Sequence, residues 1–169
     1  MAKKYWVTTQ WPHDRDAGEE PHENICAADG KGGILSSIQE GDIVFIYETK
    51  RGKHPVESPP LQTGCQSVVT IAEVKDTVES NDDPPTEYTD GTSISWKYFV
   101  EASAICSDGR VCRAELNGIL GYSPDYNLHG FGTNHSGVME IDITQARKLK
   151  TIFCKNPVDG AECPCEFVI

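Results

Sequence analysis

The stretch YNLHGFGTNHSG, Tyr126 to Gly137, gathers two aromatic rings, two histidines, two asparagines and three glycines in twelve residues. It has neither the alternation of a strand nor the stripe of a helix. Gly130 and Gly132 let the backbone take positive φ or approach a ligand closely, and Phe131 between them can project a ring. His129, as a neutral imidazole, can donate or accept a hydrogen bond. Such a loop either lines a pocket or is a surface connection, with His129 bonded to a backbone carbonyl. A second group is Cys154, Cys163 and Cys165 in CKNPVDGAECPC. Structural zinc asks for about four ligands, commonly in CxxC pairs. A Cys-x-Cys pair whose fourth ligand must come from afar does not meet that pattern, so no metal and no other cofactor is assigned. No nucleophile elbow, phosphate-binding loop or HExxH helix is present, and no catalytic residue is assigned.

The chain has 169 residues, 38% of them hydrophobic and 24% charged. That suits one domain with an ordinary core, spanning residues 1–169. No apolar run reaches the roughly 20 residues of a membrane span, and the N-terminus lacks a signal-peptide pattern; the expectation is a cytoplasmic protein with no membrane partner. Seven cysteines, an odd number, then read as reduced thiols rather than a disulfide framework. The formal charge of −11 opposes nonspecific coating of nucleic acid, where phosphate neutralisation dominates, but does not oppose reading a single base. Six acidic residues and no Lys or Arg lie between Asp76 and Asp90. Basic clusters stand at Lys50-Arg51-Lys53-His54 and Arg147-Lys148-Lys150.

The elements that must position these groups follow from local pattern. YWVTT from Tyr5, IVFIYE after the Gly41-Asp42 turn, SVVTIAEVK from Ser67 and WKYFVEASAI from Trp96 read as strands. Asp108-Gly109 predicts a tight turn, with RVCRAEL returning as hairpin partner. Residues 12–33 read as loop, GILSSI as a short helix, and the acidic segment around Pro84-Pro85 as a mobile excursion. A helix is expected from about Asp142 to Phe153. Gln145 sits three residues after Asp142 in a capping-box pattern, and Ile143, Ala146, Leu149, Ile152 and Phe153 form its apolar face. Strands with few helices predict an α+β chain, a partly closed barrel with peripheral helices.

Three stretches resemble EVE-type domains of the PUA-like superfamily, relatives of the YTH modified-base readers: YWVTTQW at the start, ILSSIQEGDIVFIYET, and YNLHGFGTNHSG followed by a terminal helix. VVTIAEV resembles the family's central strand. The resemblance covers a core of about residues 4–153; residues 154–169 form a cysteine-containing extension outside it. It implies a PUA-like mixed β-barrel of five to six strands whose cleft takes a flipped, modified nucleobase without chemistry. In such a fold Trp11, Tyr47, Trp96 and Phe131 should converge at one barrel mouth, stacking on the base. Thr8, Thr9, Asn24 and His129 would read its edge, with Gly130 giving close approach. Lys50, Arg51 and Lys53 would hold phosphates without reading sequence. On the plainer reading, Tyr47 and Trp96 are core residues of their strands. The tryptophan that YTH-type readers carry after the first loop has no counterpart in NICAADG, which offers Asn24, Cys26 and Asp29.

The resemblance thus implies a non-enzymatic reader with modified DNA as partner (RNA is the other possibility), working with a partner nuclease or restriction subunit. Two other classes stay open. One is a small hydrolase of modified nucleosides using Thr8, Lys53 and Glu48. The other is an acidic protein- or metabolite-binding module.

Overall fold

The computed structural model describes residues 2–12, 24–27, 33–53, 55–56, 63–76, 78–80, 82–128, 137–158 and 167–169. Its strands are β1 (Tyr5–Gln10), β2 (Asn24–Ala27), β3 (Ile43–Glu48), β4 (Ser67–Val74), β5 (Glu79–Ser80), β6 (Thr86–Glu87), β7 (Ser93–Ile94), β8 (Tyr98–Cys106), β9 (Val111–Cys112) and β10 (Val138–Ile141). Its helices are α1 (Arg113–Leu120) and α2 (Ile143–Lys155), with a 3-10 turn at Leu35–Ser37. The main sheet runs β10-β1-β3-β4-β8-β2, with β5 on β8 and β9 on β4, while β6 and β7 form a separate hairpin. Only β1 and β3 pair in parallel among the described strands. The sheet curls into a half-barrel flanked by the two helices.

IVFIY, Ile43 to Tyr47, is continuously apolar because both faces of β3 are covered, and Glu48, which ends the strand, is buried as well. Ile43, Phe45 and Tyr47 join Tyr5, Val7 and Ile71 against Leu116 of α1 and Ala146, Leu149 and Phe153 of α2. Val44 and Ile46 point the other way, to Trp6, Ile25, Val100 and the Leu35–Ile38 turn. Burying an Ile or Phe side chain is worth about 1.5–3 kcal/mol over leaving it exposed, so this central strand fixes the register of its neighbours.

The Gly41-Asp42 turn does more than reverse the chain. Asp42 is buried, and its carboxylate accepts from the Lys4 amide (2.9 Å), the Trp6 indole Nε1 (2.9 Å) and the Gln39 amide (3.1 Å). One side chain thereby joins the entry of β1, the entry of β3 and the 3-10 turn, through charge-assisted bonds stronger than neutral ones. At the other end of the chain, Asp142 caps α2. It accepts from the Gln145 amide at 2.8 Å while its own amide donates to Gln145 Oε1 at 3.0 Å, the reciprocal pair that the sequence implied.

Three expectations are corrected. RVCRAEL is not the hairpin partner of the long strand: Val111 and Cys112 pair with Val68 and Ser67 of β4, and Arg113 onward is helix. The segment starts like a strand, but Cys112 and Glu115 form a capping box, which starts a helix there. Residues 12–33 are not all loop, since Asn24–Ala27 adds an edge strand to β8. The cysteines are not all thiols. Cys65, Cys112 and Cys154 are, whereas Cys106, buried at the end of β8, is disulfide-bonded. An odd count leaves one thiol over but forbids no pair. No helix among the described residues is long and apolar enough to cross a membrane, and none of their side chains forms a cluster of three or more His, Cys, Asp or Glu suited to a metal ion.

Candidate functional site

Where β1 ends, the chain turns into Trp11, and this ring meets two others. Its centroid lies 5.5 Å from that of Tyr88, with the planes at 88°, and 5.5 Å from that of Trp96, at 83°. Both are edge-to-face contacts of the kind aromatic quadrupoles favour. Trp96 Nε1 donates to Tyr88 Oη at 2.8 Å, closing the triangle. Gly52 lies directly against Trp11: a Cβ there would sit 2.5 Å from Trp11 Cγ, so only glycine fits. Tyr88 is buried, while Trp11 and Trp96 are half-buried. The three rings touch one another, which leaves no slot for a base between them.

The β6–β7 hairpin brings Tyr88 into place. Asp90-Gly91 makes its turn, with Gly91 at φ 79° and the Tyr88 amide donating to Thr92 O at 2.9 Å. Pro55 bridges to Tyr88 from the loop after β3. Lys53 fastens the same loop to the hairpin: Nζ donates to Asp90 Oδ2 at 3.0 Å and to Thr92 Oγ1, and lies 5.9 Å from the Tyr88 centroid. Hydrogen bonds from Thr92, and then from Lys53, bring the exposed Asp90 carboxyl down to about 2.

Trp11 and Trp96 are the two predicted rings that the structure brings together. Trp96 lies outside β8, in the segment that leads into it, so it is not the strand residue the pattern implied. Tyr47 is elsewhere: it is 2% exposed and packed in the core beneath α1. Burial pushes its phenol up to about 12, with the Arg113 charge opposing. Thr8 is buried, and its hydroxyl donates to Gly137 O at 2.8 Å, where the Thr9 amide also donates at 3.0 Å. These two threonines therefore anchor the end of the glycine-rich loop on β1. Within that loop, His129, Gly130 and Phe131 lie outside the described residues, as does the Asn24 side chain. Lys50 and Arg51 are exposed, whereas Lys53 is committed to Asp90. Thr8, Glu48 and Lys53 do not share one set of partners: Thr8 serves Gly137, Glu48 Oε1 accepts from the Cys65 amide at 2.9 Å, and Lys53 serves the hairpin.

Sequence reasoning missed Tyr88 and Gly52. The signal for Tyr88 was present in TEYTDGTSI, an Asp-Gly turn between short β-forming runs and a standard hairpin mark. The surrounding acidic charge and Pro84-Pro85 obscured it. Gly52 carried no signal, because its role is a tertiary close approach.

No protein-family model matches the sequence, and no curated protein matches it. Solved structures do match at the level of fold. Protein Atu2648 from Agrobacterium tumefaciens is 14% identical, with 94% of this chain and 97% of that chain covered and a TM-score of 0.53. A Leishmania major protein is 13% identical, with 89% and 94% covered and a TM-score of 0.54. The human THYN1 protein, in complex with 5-methylcytosine containing DNA, is 13% identical, with 92% and 100% covered and a TM-score of 0.53. The chain thus has the PUA-like fold that its resemblance to EVE-type domains implied.

Proposed function

We propose that this protein is a non-enzymatic reader of a modified base in nucleic acid, with DNA as the first candidate and RNA as the second. The observation that carries the reading is the half-buried Trp11–Trp96 pair at the end of β1, next to the threonines that anchor the glycine-rich loop. Human THYN1, a protein of the same fold, is known in complex with DNA containing 5-methylcytosine, which supports the ligand class. A base leaves the stack at a cost of a few kcal/mol, and stacking with edge hydrogen bonds offsets that cost. Any cleavage of the marked nucleic acid falls to a partner, of which a nuclease or restriction subunit is the natural kind. A hydrolase built on Thr8, Glu48 and Lys53 gains no support, since each has a separate structural task.

The test is fluorescence anisotropy over a panel of oligonucleotides, plain and singly modified, with mass spectrometry of each after incubation. One modified base should bind tighter than its plain counterpart and be recovered unchanged. Trp96→Ala should weaken that binding by roughly 1–3 kcal/mol. A product mass would establish turnover and sink the reader assignment. Equal binding of all members would remove the base from the account.

A further inference from the structure

Most cations near the start of the sheet are neutralised in place. Lys3 and Lys75 pair with Glu73, Lys4 with Glu140, and Lys53 with Asp90. Lys50, Arg51, Arg113, Lys148 and Lys155 have no carboxylate partner among the described residues. These five are not scattered. The Lys50 carbonyl accepts from the Gly64 amide at 3.0 Å, and three residues on, Ser67 pairs with Cys112, directly before Arg113. The β8–β9 connection packs against the end of α2: Gly109 abuts Phe153, and Asn156 Nδ2 donates to Arg110 O at 3.4 Å, directly after Lys155. On α2, Lys148 lies two turns before Lys155. Glu115, the acid nearest Arg113 in sequence, is turned to the Cys112 amide as part of the cap, and α2 itself contains no Asp or Glu.

We infer that Lys50, Arg51, Arg113, Lys155 and Lys148 form one cationic band, and that it carries the phosphate backbone of nucleic acid away from the base site towards α2. The inference rests on the reader assignment and adds a direction to it. In a chain of formal charge −11, cations without a carboxylate partner, aligned by successive β3–β4, β4–β9 and β9–α2 contacts, give a polyanion a local path of attraction. Arg113 and Lys155 extend the contact beyond the loop that sequence alone nominated, and Lys53 drops out of it. Phosphate contacts of this kind position the ligand and carry no sequence information.

The probe is a duplex containing 5-methylcytosine, with its unmodified twin, titrated by anisotropy across a salt series. Each phosphate neutralised on duplex DNA contributes about 0.9 to the slope of log K against log salt. The double substitution Arg113→Gln, Lys155→Gln should lower the slope by close to twice that amount for both duplexes and leave their affinity ratio unchanged. The control Lys4→Gln, Lys75→Gln, which removes cations already paired with carboxylates, should leave the slope as it is. If the Arg113/Lys155 variant keeps the wild-type slope while the duplexes still bind, the band is overturned and the reader assignment stands. If neither duplex, nor any modified oligonucleotide of the panel, binds the wild type, both fall together. A circular dichroism melt confirms that both variants fold.

Discussion

Tyr47 shows how one residue type changes meaning with its surroundings. As a ring at the end of a strand it is a plausible pocket wall; in the structure it is core, held neutral by burial. Its proton is bound more tightly in the folded state, with the phenol at about 12 rather than 10.0. The stabilisation linked to that shift is complete below pH 10 and is lost as pH rises towards 12. Denaturant melts at stepped alkaline pH should therefore show wild type losing stability across that window, with Tyr47→Phe losing less. Equal losses would mean that the phenol is not the source. Trp11 changes meaning less completely. It is half-buried at the strand end, yet its packing on Gly52, Tyr88 and Trp96 makes it a structural residue as well. Trp96 has structural contacts too, with Trp11 and with Tyr88 Oη, so a thermal melt of Trp96→Ala accompanies the binding test of stacking.

Among the elements, the junction of β1, β3 and the 3-10 turn depends most on one side chain. Asp42→Ala would leave the Lys4 amide, the Trp6 indole and the Gln39 amide without their acceptor. Hydrogen bonds to a charged group contribute about 1.5–3 kcal/mol each, and a buried donor left unmatched adds a desolvation cost. A loss of about 3 kcal/mol is expected, seen as a lower urea midpoint with unchanged slope. A loss below about 1 kcal/mol would show that water replaces the carboxylate and that the junction is held by packing alone. The β6–β7 hairpin works differently. Its two-residue strands have little strength of their own, and the Lys53–Asp90 pair with the Tyr88–Trp96 hydrogen bond fixes it over the Trp11 loop.

For the molecule as a whole, the Cys106 disulfide is the feature most at odds with an all-thiol reading. Thiol titration of the denatured, unreduced protein should find at least two fewer groups than the seven cysteines of the chain, and prior reduction should restore all seven. Finding seven without reduction would remove the bond. Disulfides persist in oxidising compartments and are reduced in the cytosol, so the count made on protein taken from its own cell also reports where the chain resides. The charge distribution is the other global property. Lysines at the start of β1 and the end of β4 are paired with Glu140 and Glu73, which leaves the net acidity of −11 compatible with a local cationic path.

Sequence by itself determined the strands whose both faces are apolar, the Asp142–Gln145 cap of α2 and the Gly41-Asp42 entry to β3. Each of these depends on residues adjacent in the chain, through period, capping or turn chemistry, and so is written locally. Together with the resemblance to EVE-type domains it also brought Trp11 and Trp96 forward as candidate rings, Trp11 just past the first strand and Trp96 inside a predicted one. Tertiary structure decided the rest. Whether Tyr47 faced a cleft or the core depended on α1 covering that face of the sheet, and no local pattern specifies which face a helix covers. Whether Val111 and Cys112 paired with β8 or β4 depended on β4 offering a free edge at Ser67–Val68, a property of sheet order. The partnership of Trp11 with Tyr88 joins positions far apart in sequence through the close approach of Gly52. The division between paired and unpaired cations likewise appears only when Lys53 meets Asp90 and Lys4 meets Glu140, since Coulomb energy depends on distance in space and not on separation along the chain.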